Sequence, residues 1–117
     1  MKKVNLTEKF ALINEHWRPK VVGELNGQEI KLVKFVGEFP WHRHENEDEM
    51  FLAMKGNFRI EFRDKTVELS EGDFVIVPRG VEHRPVARHG EVRMINIEPG
   101  GTHNLGEDSP QRPVVAV

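Results

Sequence analysis

The stretch Phe58–Leu69, FRIEFRDKTVEL, decides the fold class of this chain of 117 residues. Apolar residues occupy every second position from Phe58 to Phe62, and the alternation resumes at Val67 and Leu69, in the phase that matches across a hairpin. Because successive side chains of a β-strand point to opposite faces of a sheet, this pattern predicts two strands that share one buried face. The polar residues between them predict a turn, so we expect a β-hairpin here.

Four further apolar segments flank this hairpin and are separated from it and from one another by Gly, Pro, Asn or Asp. Short strands punctuated in this way are typical of β-sandwiches and barrels. In the segment Met50–Met54 every residue is apolar, which predicts a strand buried on both faces. The sequence therefore predicts an all-β fold whose other apolar segments are 30–36, 50–54, 74–77 and 92–97.

One dipeptide and one tripeptide that end in glycine predict hairpin turns outside this central region. Asn26-Gly27 favours positive backbone φ and predicts a tight turn between two short strands. Arg88-His89-Gly90 is expected at a second hairpin tip.

The two ends of the chain carry weaker patterns. Phe10, Ile13 and Trp17 recur at helical spacing, which predicts a short N-terminal helix or turn with Thr7 as its cap and Pro19 as its end. From residue 99 to 113 the composition shifts to Gly, Pro, Asn, Asp and Ser, which predicts a loop. The apolar end, residues 114–117, is expected to pair with an exposed sheet edge or to fray.

Composition excludes several classes of protein. The chain is 38% hydrophobic and 31% charged, so it contains enough apolar material for a core. Seventeen basic and nineteen acidic residues give a net charge of −2, from which we expect neither a nucleic-acid nor a membrane partner. Cysteine and tyrosine are absent, which excludes disulfides, thiolate metal sites and phenolic acid–base chemistry. We expect a single domain over residues 1–117, located in the cytoplasm because no signal-like or membrane-length apolar stretch is present.

Three histidines and one glutamate form a candidate metal site. His42 and His44 are two residues apart, so in extended backbone they point the same way, roughly 6.5–7 Å apart. Glu49 begins the next apolar strand, and His83 follows the turn-forming residues 78–80. Three imidazoles and one carboxylate suit Mn, Fe, Co, Ni, Cu or Zn. The remaining histidines, His16, His89 and His103, are expected on the surface.

These residues lie within two longer motifs. The first reads Gly37-x4-His42-x-His44-x4-Glu49-x6-Gly56, and the second reads Gly72-x5-Pro78-x-Gly80-x2-His83. Together they resemble the two signature motifs of the cupins, which are small RmlC-like jelly-roll barrels built as a double-stranded β-helix. The spacer before His42 is one residue shorter than usual, and Ala87 stands where the second motif often has Asn, but neither departure removes a ligand.

The resemblance covers about residues 28–98 and implies a cupin barrel followed by a loop and tail over residues 99–117. It implies that His42, His44, Glu49 and His83 bind one divalent transition metal ion, and that Gly56, Gly72 and Gly80 are turn residues. The position of Gly56 between two apolar segments itself predicts a tight hairpin there. Since small cupins commonly pair through their sheets, it also implies a homodimer, which the apolar segments 50–54 and 114–117 would favour.

Three functions are compatible with a metal presented to a small-molecule ligand. The first is a metal-dependent oxidoreductase of the dioxygenase type. The second is a metal-dependent isomerase or lyase, including a sugar-phosphate enzyme similar to mannose-6-phosphate isomerase, in which a metal polarises a carbonyl and Glu or His moves a proton. The third is a non-catalytic module that binds or senses a small molecule. A cavity lined wholly by apolar groups would disfavour the second.

Overall fold

The computed structural model describes residues 1–101 and the backbone of residues 115–116. One short helix, α1 (Leu6–Ala11), precedes a series of β-strands. The strands are β1 (Lys20–Leu25), β2 (Gln28–Glu38), β3 (Glu49–Lys55), β4 (Phe58–Phe62), β5 (Thr66–Leu69), β6 (Phe74–Val77), β7 (His83–Pro99) and β8 (Val115–Ala116).

The strands form the jelly-roll barrel that the sequence predicts. The long strand β7 joins the two parts of the sheet, because its first residues pair with β4 and its last residues pair with β3. Strand β2 pairs antiparallel with β7 along almost the whole length of β2. The hairpins predicted at Asn26-Gly27 and over Phe58–Leu69 are confirmed, since β1 pairs with β2 and β4 pairs with β5 in antiparallel register.

Apolar side chains pack on both faces of the sheet. On β2, Val33 and Phe35 point into the barrel, whereas Leu32 points outward against Phe10 and Ile13 of the N-terminal segment. The interior cluster holds the alternating apolar residues of the predicted hairpin. This two-sided burial explains why α1 is needed: it covers part of the outer face that the barrel itself leaves uncovered.

The N-terminal helix differs from the prediction in its cap and its length. Asn5, not Thr7, is the cap, because its side chain accepts a hydrogen bond from the Glu8 backbone N–H at 2.9 Å. The helix ends at Ala11, well before Pro19. Phe10 and Ile13 share a cluster as predicted, but Trp17 has a φ of 61° and packs on the interior cluster instead.

Two predicted hairpin turns are wrong. Gly56 does not close a hairpin, because β3 pairs with β6 and β7 while β4 pairs with β5 and β7. Its φ is 81°, and a Cβ atom there would lie 2.9 Å from Val92 Cγ1. Glycine is therefore required, because the backbone at this position passes close to Val92 of β7. Residues 88–90 do not form a hairpin tip but an exposed irregularity within β7, opposite the register shift between Phe35 and Gly37.

Strand β3 is less buried than its composition predicts. Phe51 and Ala53 are buried, whereas Met50 and Leu52 are half-buried and Met54 is exposed. The alternation arises because only the inner face of β3 lies in the barrel, and α1 covers the outer face incompletely.

The described part of the tail agrees with the prediction. Residues 115–116 pair in parallel with Lys20 and Val21 of β1, which is the sheet edge. Pro99 still belongs to β7, so the predicted loop begins one residue later, and its residues 102–113, with His103, lie outside the described residues. Within the described part of the chain, no helix has both the length and the apolar character needed to cross a membrane.

Candidate metal centre

Two loops at one end of the barrel bring the predicted ligands together. His42 lies in the connection between β2 and β3, and His83 begins β7. Their backbones pair in both directions: His42 N donates to His83 O at 3.1 Å, and His83 N donates to His42 O at 2.9 Å. The two histidines are therefore held opposite each other by main-chain bonds that do not depend on their side chains.

The turn that contains Gly80 fixes the third histidine. Gly80 has a φ of 79°, and its N–H donates to His44 O at 2.7 Å. The Arg79 N–H donates to Asp48 Oδ1 at 2.9 Å, which ties the same two loops together a second time. The positive φ at this glycine is thus part of the scaffold that positions His44.

All four predicted side chains converge. Ligand atoms of His42, His44, Glu49 and His83 lie within 4.8 Å of one another, and all four residues are buried. Glu49 Oε1 lies 3.2 Å from His83 Nε2 and 3.4 Å from His44 Nε2. His16 and His89 are exposed, as predicted.

Hydrogen bonds to backbone carbonyl oxygens orient two of the three imidazoles. His42 Nδ1 donates to Pro40 O at 2.9 Å, and His83 Nδ1 donates to Val81 O at 2.8 Å. Because a carbonyl oxygen only accepts, Nδ1 of each ring carries a proton, and Nε2 is the nitrogen placed to act as a metal ligand. His44 has no hydrogen-bond partner for either ring nitrogen among the described residues, although it is buried. Three imidazoles that converge on one carboxylate form a donor set that fits a bound cation.

Burial and charge adjust the pKa values of two of these groups. Burial, reinforced by the neighbouring His83, lowers the pKa of His42 to about 4. Burial alone would raise the pKa of Glu49, but the imidazoles of His44 and His83 outweigh it and hold that pKa well below its usual range. At neutral pH the centre thus contains a neutral His42 and an ionised Glu49, the protonation states that a metal requires.

Comparison with known proteins agrees with this geometry. The family model described as the cupin domain matches residues 31–98, more than half of the chain. The chain belongs to the cupin family. A cupin-2 domain protein from Shewanella frigidimarina NCIMB 400 is 45% identical, with a TM-score of 0.80 over 82% of this chain and 93% of that one. Protein NMB1881 from Neisseria meningitidis is 30% identical, with a TM-score of 0.76 over 85% and 100% of the two chains.

A relative in Bacillus subtilis (strain 168) matches by sequence. The uncharacterized protein YdbB is 35% identical over 77 residues, which are 65% of this chain and 66% of YdbB. The cupin therefore spans slightly less than two thirds of that relative.

The centre opens into a cavity of about 40 Å³ inside this cupin. Two ligands, His42 and Glu49, form part of its wall, so a molecule in the cavity would be adjacent to the ligand cluster. Most of the wall is apolar, and its members include Val33, Phe39, Phe51, Pro85 and Met94.

Two polar residues of β7 also line the cavity and were missed by the sequence analysis. Asn96 Nδ2 donates to Glu49 Oε2 at 2.8 Å and so orients the carboxylate. Glu98 is 1% exposed and accepts a bond of 2.7 Å from Lys31 Nζ. The signal was present in the alternation of β7, since Asn96 and Glu98 continue the inward phase of Met94.

The N-terminal segment closes one side of the cavity. Trp17 and Pro19 both line it, and the Trp17 ring lies 4.4 Å from that of Phe35 and 4.9 Å from that of Phe39. Trp17 N donates to Lys34 O, and Trp17 Nε1 donates to Val36 O. No local sequence pattern marks this role, because it depends on contacts with β2.

Proposed function

We propose that His42, His44, Glu49 and His83 bind one divalent transition metal ion, and that this cupin presents the ion to a small molecule. The observation that supports the proposal is the convergence of four buried ligand groups within 4.8 Å, with both ring nitrogens of His44 lacking a hydrogen-bond partner in the described structure. Three imidazoles and a carboxylate suit Fe, Mn, Ni, Co, Zn or Cu. When bound, such a metal supplies Lewis-acid polarisation of an oxygen on the ligand.

The cavity restricts the ligand to a small molecule. Its volume of about 40 Å³ and its largely apolar walls favour a small ligand, and the adjoining ligand cluster favours one with an oxygen donor. Trp17 and Pro19 line the same cavity, so they would contact a bound ligand.

Among the candidate reactions, we favour metal-assisted proton transfer, the isomerase or lyase class. The supporting observation is that the cavity is not lined wholly by apolar groups: the Glu98 carboxylate lies in its wall beside the ligand cluster. A carboxyl group within reach of a bound molecule is the kind of group that moves a proton between carbon and oxygen.

A dioxygenase-type oxidoreductase is the second candidate. It is supported by the predominantly apolar wall, which includes Phe39, Phe51 and Met94. Anaerobic loading with Fe(II), followed by oxygen-uptake assays on diols and enolic acids, separates the two classes. Exchange of a carbon-bound proton of a 2-hydroxy ketone with D₂O by Zn²⁺-loaded protein, without oxygen uptake, would favour the isomerase or lyase class. Oxygen uptake would favour the dioxygenase class. Turnover in neither assay would favour a binding module.

Metal content tests the proposal directly. We expect protein purified without chelator or histidine tag to contain about one ion per chain by elemental analysis. Single variants His42→Ala, His44→Ala, Glu49→Gln and His83→Ala should each weaken metal binding at least about tenfold. His89→Ala, which changes an exposed histidine outside the cluster, is the matched control. Undiminished ion uptake by all four variants would refute the proposal.

A further inference from the structure

Lys31 and Glu98 form a buried ion pair that the proposed metal centre does not require. Lys31 Nζ lies 2.7 Å from Glu98 Oε1, and both side chains are 1% exposed. Lys31 comes from β2 and Glu98 from β7, so the pair crosses two neighbouring strands. Removing two charged groups from water is costly, and an apolar pair of similar volume would often be at least as stable. Stability alone therefore does not explain why a lysine and a glutamate occupy these two buried positions.

The second oxygen of Glu98 supplies that reason. Among the described residues, Glu98 Oε2 is buried and has no hydrogen-bond partner. Because Lys31 holds the other oxygen, the carboxyl group is fixed in orientation, and the residue lines the same cavity as His42 and Glu49. A buried polar atom without a partner costs free energy unless a bound molecule satisfies it.

We infer that Glu98, positioned by Lys31, is a subsite that binds a hydroxyl group of the ligand, and that the ligands of this cupin are 2-hydroxy acids or 2-hydroxy ketones. The inference rests on the proposed function, since the metal would hold the neighbouring carboxylate or carbonyl oxygen. A hydroxyl group is both donor and acceptor, so it can bond to Glu98 Oε2 in either protonation state of the carboxyl group.

The strand register explains why the two oxygens of the ligand should be neighbours. Met50 pairs with Ile97, so Glu49 and Glu98 occupy adjacent positions on β3 and β7, with Cα atoms roughly 5 Å apart. Asn96 holds the far oxygen of Glu49, which leaves Oε1 toward the histidines. One ligand oxygen at the metal and another at Glu98 would therefore belong to neighbouring groups of the same small molecule. The small cavity supports the same conclusion.

Glycolate and acetate are the matched probes, because they differ only in the 2-hydroxyl group. Their dissociation constants are measured by calorimetry on Zn²⁺-loaded protein in a buffer that does not coordinate metal. The test variant is Lys31→Met/Glu98→Leu, which removes both charges and leaves neither partner unpaired. The control variant is Glu15→Leu/Lys20→Met, which removes a Lys–Glu pair of 2.9 Å that does not line the cavity.

We expect wild-type protein and the control to prefer glycolate, and the test variant to lose about tenfold in glycolate affinity with acetate affinity unchanged. A structural role of the pair would not change this selectivity between the two probes. Equal binding of both probes by wild type, or an unchanged preference in the test variant, overturns the inference while Zn²⁺ stoichiometry stays intact. If wild-type protein does not bind Zn²⁺ at all, that result would instead refute the proposed function.

The crystal structure of the wild-type Zn²⁺–glycolate complex keeps the inference testable if the double variant does not fold. A glycolate hydroxyl within about 2.7 Å of a Glu98 oxygen supports it. A hydroxyl directed away from Glu98 overturns it.

Discussion

His42 and His83 are paired through their backbones, and their imidazole rings lie 4.4 Å apart between centroids. Two candidate ligands that are distant in sequence are thus fixed by main-chain hydrogen bonds rather than by each other's side chains. The fold itself therefore positions the backbone of both residues. Substitution of one side chain should leave the other in place.

Metal binding should stabilise the protein, because the proposed ligands lie on β3, on β7 and in the connection before β3. At a free metal concentration of 100 times the dissociation constant, a single site adds about 2.7 kcal/mol to the free energy of unfolding. Thermal unfolding with Zn²⁺ and with chelator measures the difference. In Glu49→Gln the metal-dependent shift should shrink markedly. A shift of wild-type size in that variant would show that the ion acts elsewhere.

The metal-free protein should lose stability as the pH falls from 6.5 toward 4. Because burial and His83 lower the pKa of His42 to about 4, the unfolded chain takes up a proton at this residue in a range where the folded protein does not. The free energy of unfolding should therefore fall by up to about 1.4 kcal/mol per pH unit from this residue. Denaturant unfolding across this range measures the slope.

The variant His42→Gln removes this titrating group and should have a shallower slope than wild type between pH 4 and 6.5. His89→Gln changes an exposed histidine and should keep the wild-type slope. Identical slopes for His42→Gln and wild type would contradict the assignment of a neutral, buried His42.

Gly56→Ala should destabilise the protein by about 1–3 kcal/mol. The reason is twofold: the backbone φ is 81°, and the added Cβ would lie 2.9 Å from Val92 Cγ1. Gly72→Ala is the matched control, since its φ is 93° but no atom lies within 4 Å of the added Cβ, so only the backbone strain remains. Chemical denaturation compares the two. The crowding argument fails if both variants lose equal stability, or if Val92→Ala does not partly restore Gly56→Ala.

Pairing of two copies remains a prediction, and the structure suggests where to test it. Phe74 and Ile76 are 58% and 55% exposed on β6, which in the described structure pairs only with β3. A second copy of the same uncharged edge strand could pair with it antiparallel about a two-fold axis. Phe74→Lys/Ile76→Lys should therefore sediment as a monomer at micromolar concentrations at which wild type is a dimer.

Leu25→Lys is the control for this experiment. Leu25 is 64% exposed but lies at the end of β1, beside the tight turn at Asn26-Gly27. It should leave the dimer intact. A monomeric wild type, or a dimer that survives the double lysine substitution, would contradict pairing through β6.

The sequence determined the features that depend on neighbouring residues. Alternation from Phe58 to Leu69 specified the β4–β5 hairpin because strand geometry is local, and Asn26-Gly27 specified the separate turn between β1 and β2 through positive φ. The spacing of His42, His44 and Glu49, together with the second motif ending at His83, was sufficient to identify the cluster that the fold brings together.

Tertiary structure alone decided the features that depend on distant partners. Lys31 is buried because Glu98, 67 residues further along the chain, lies opposite it, and no local pattern contains that contact. Trp17 leaves the predicted helical face because its N–H bonds to Lys34 on β2, and Gly56 is required by Val92 rather than by a hairpin. Local propensity fixes turns and strands, whereas burial and charge pairing depend on which strands become neighbours, and only the folded chain determines that.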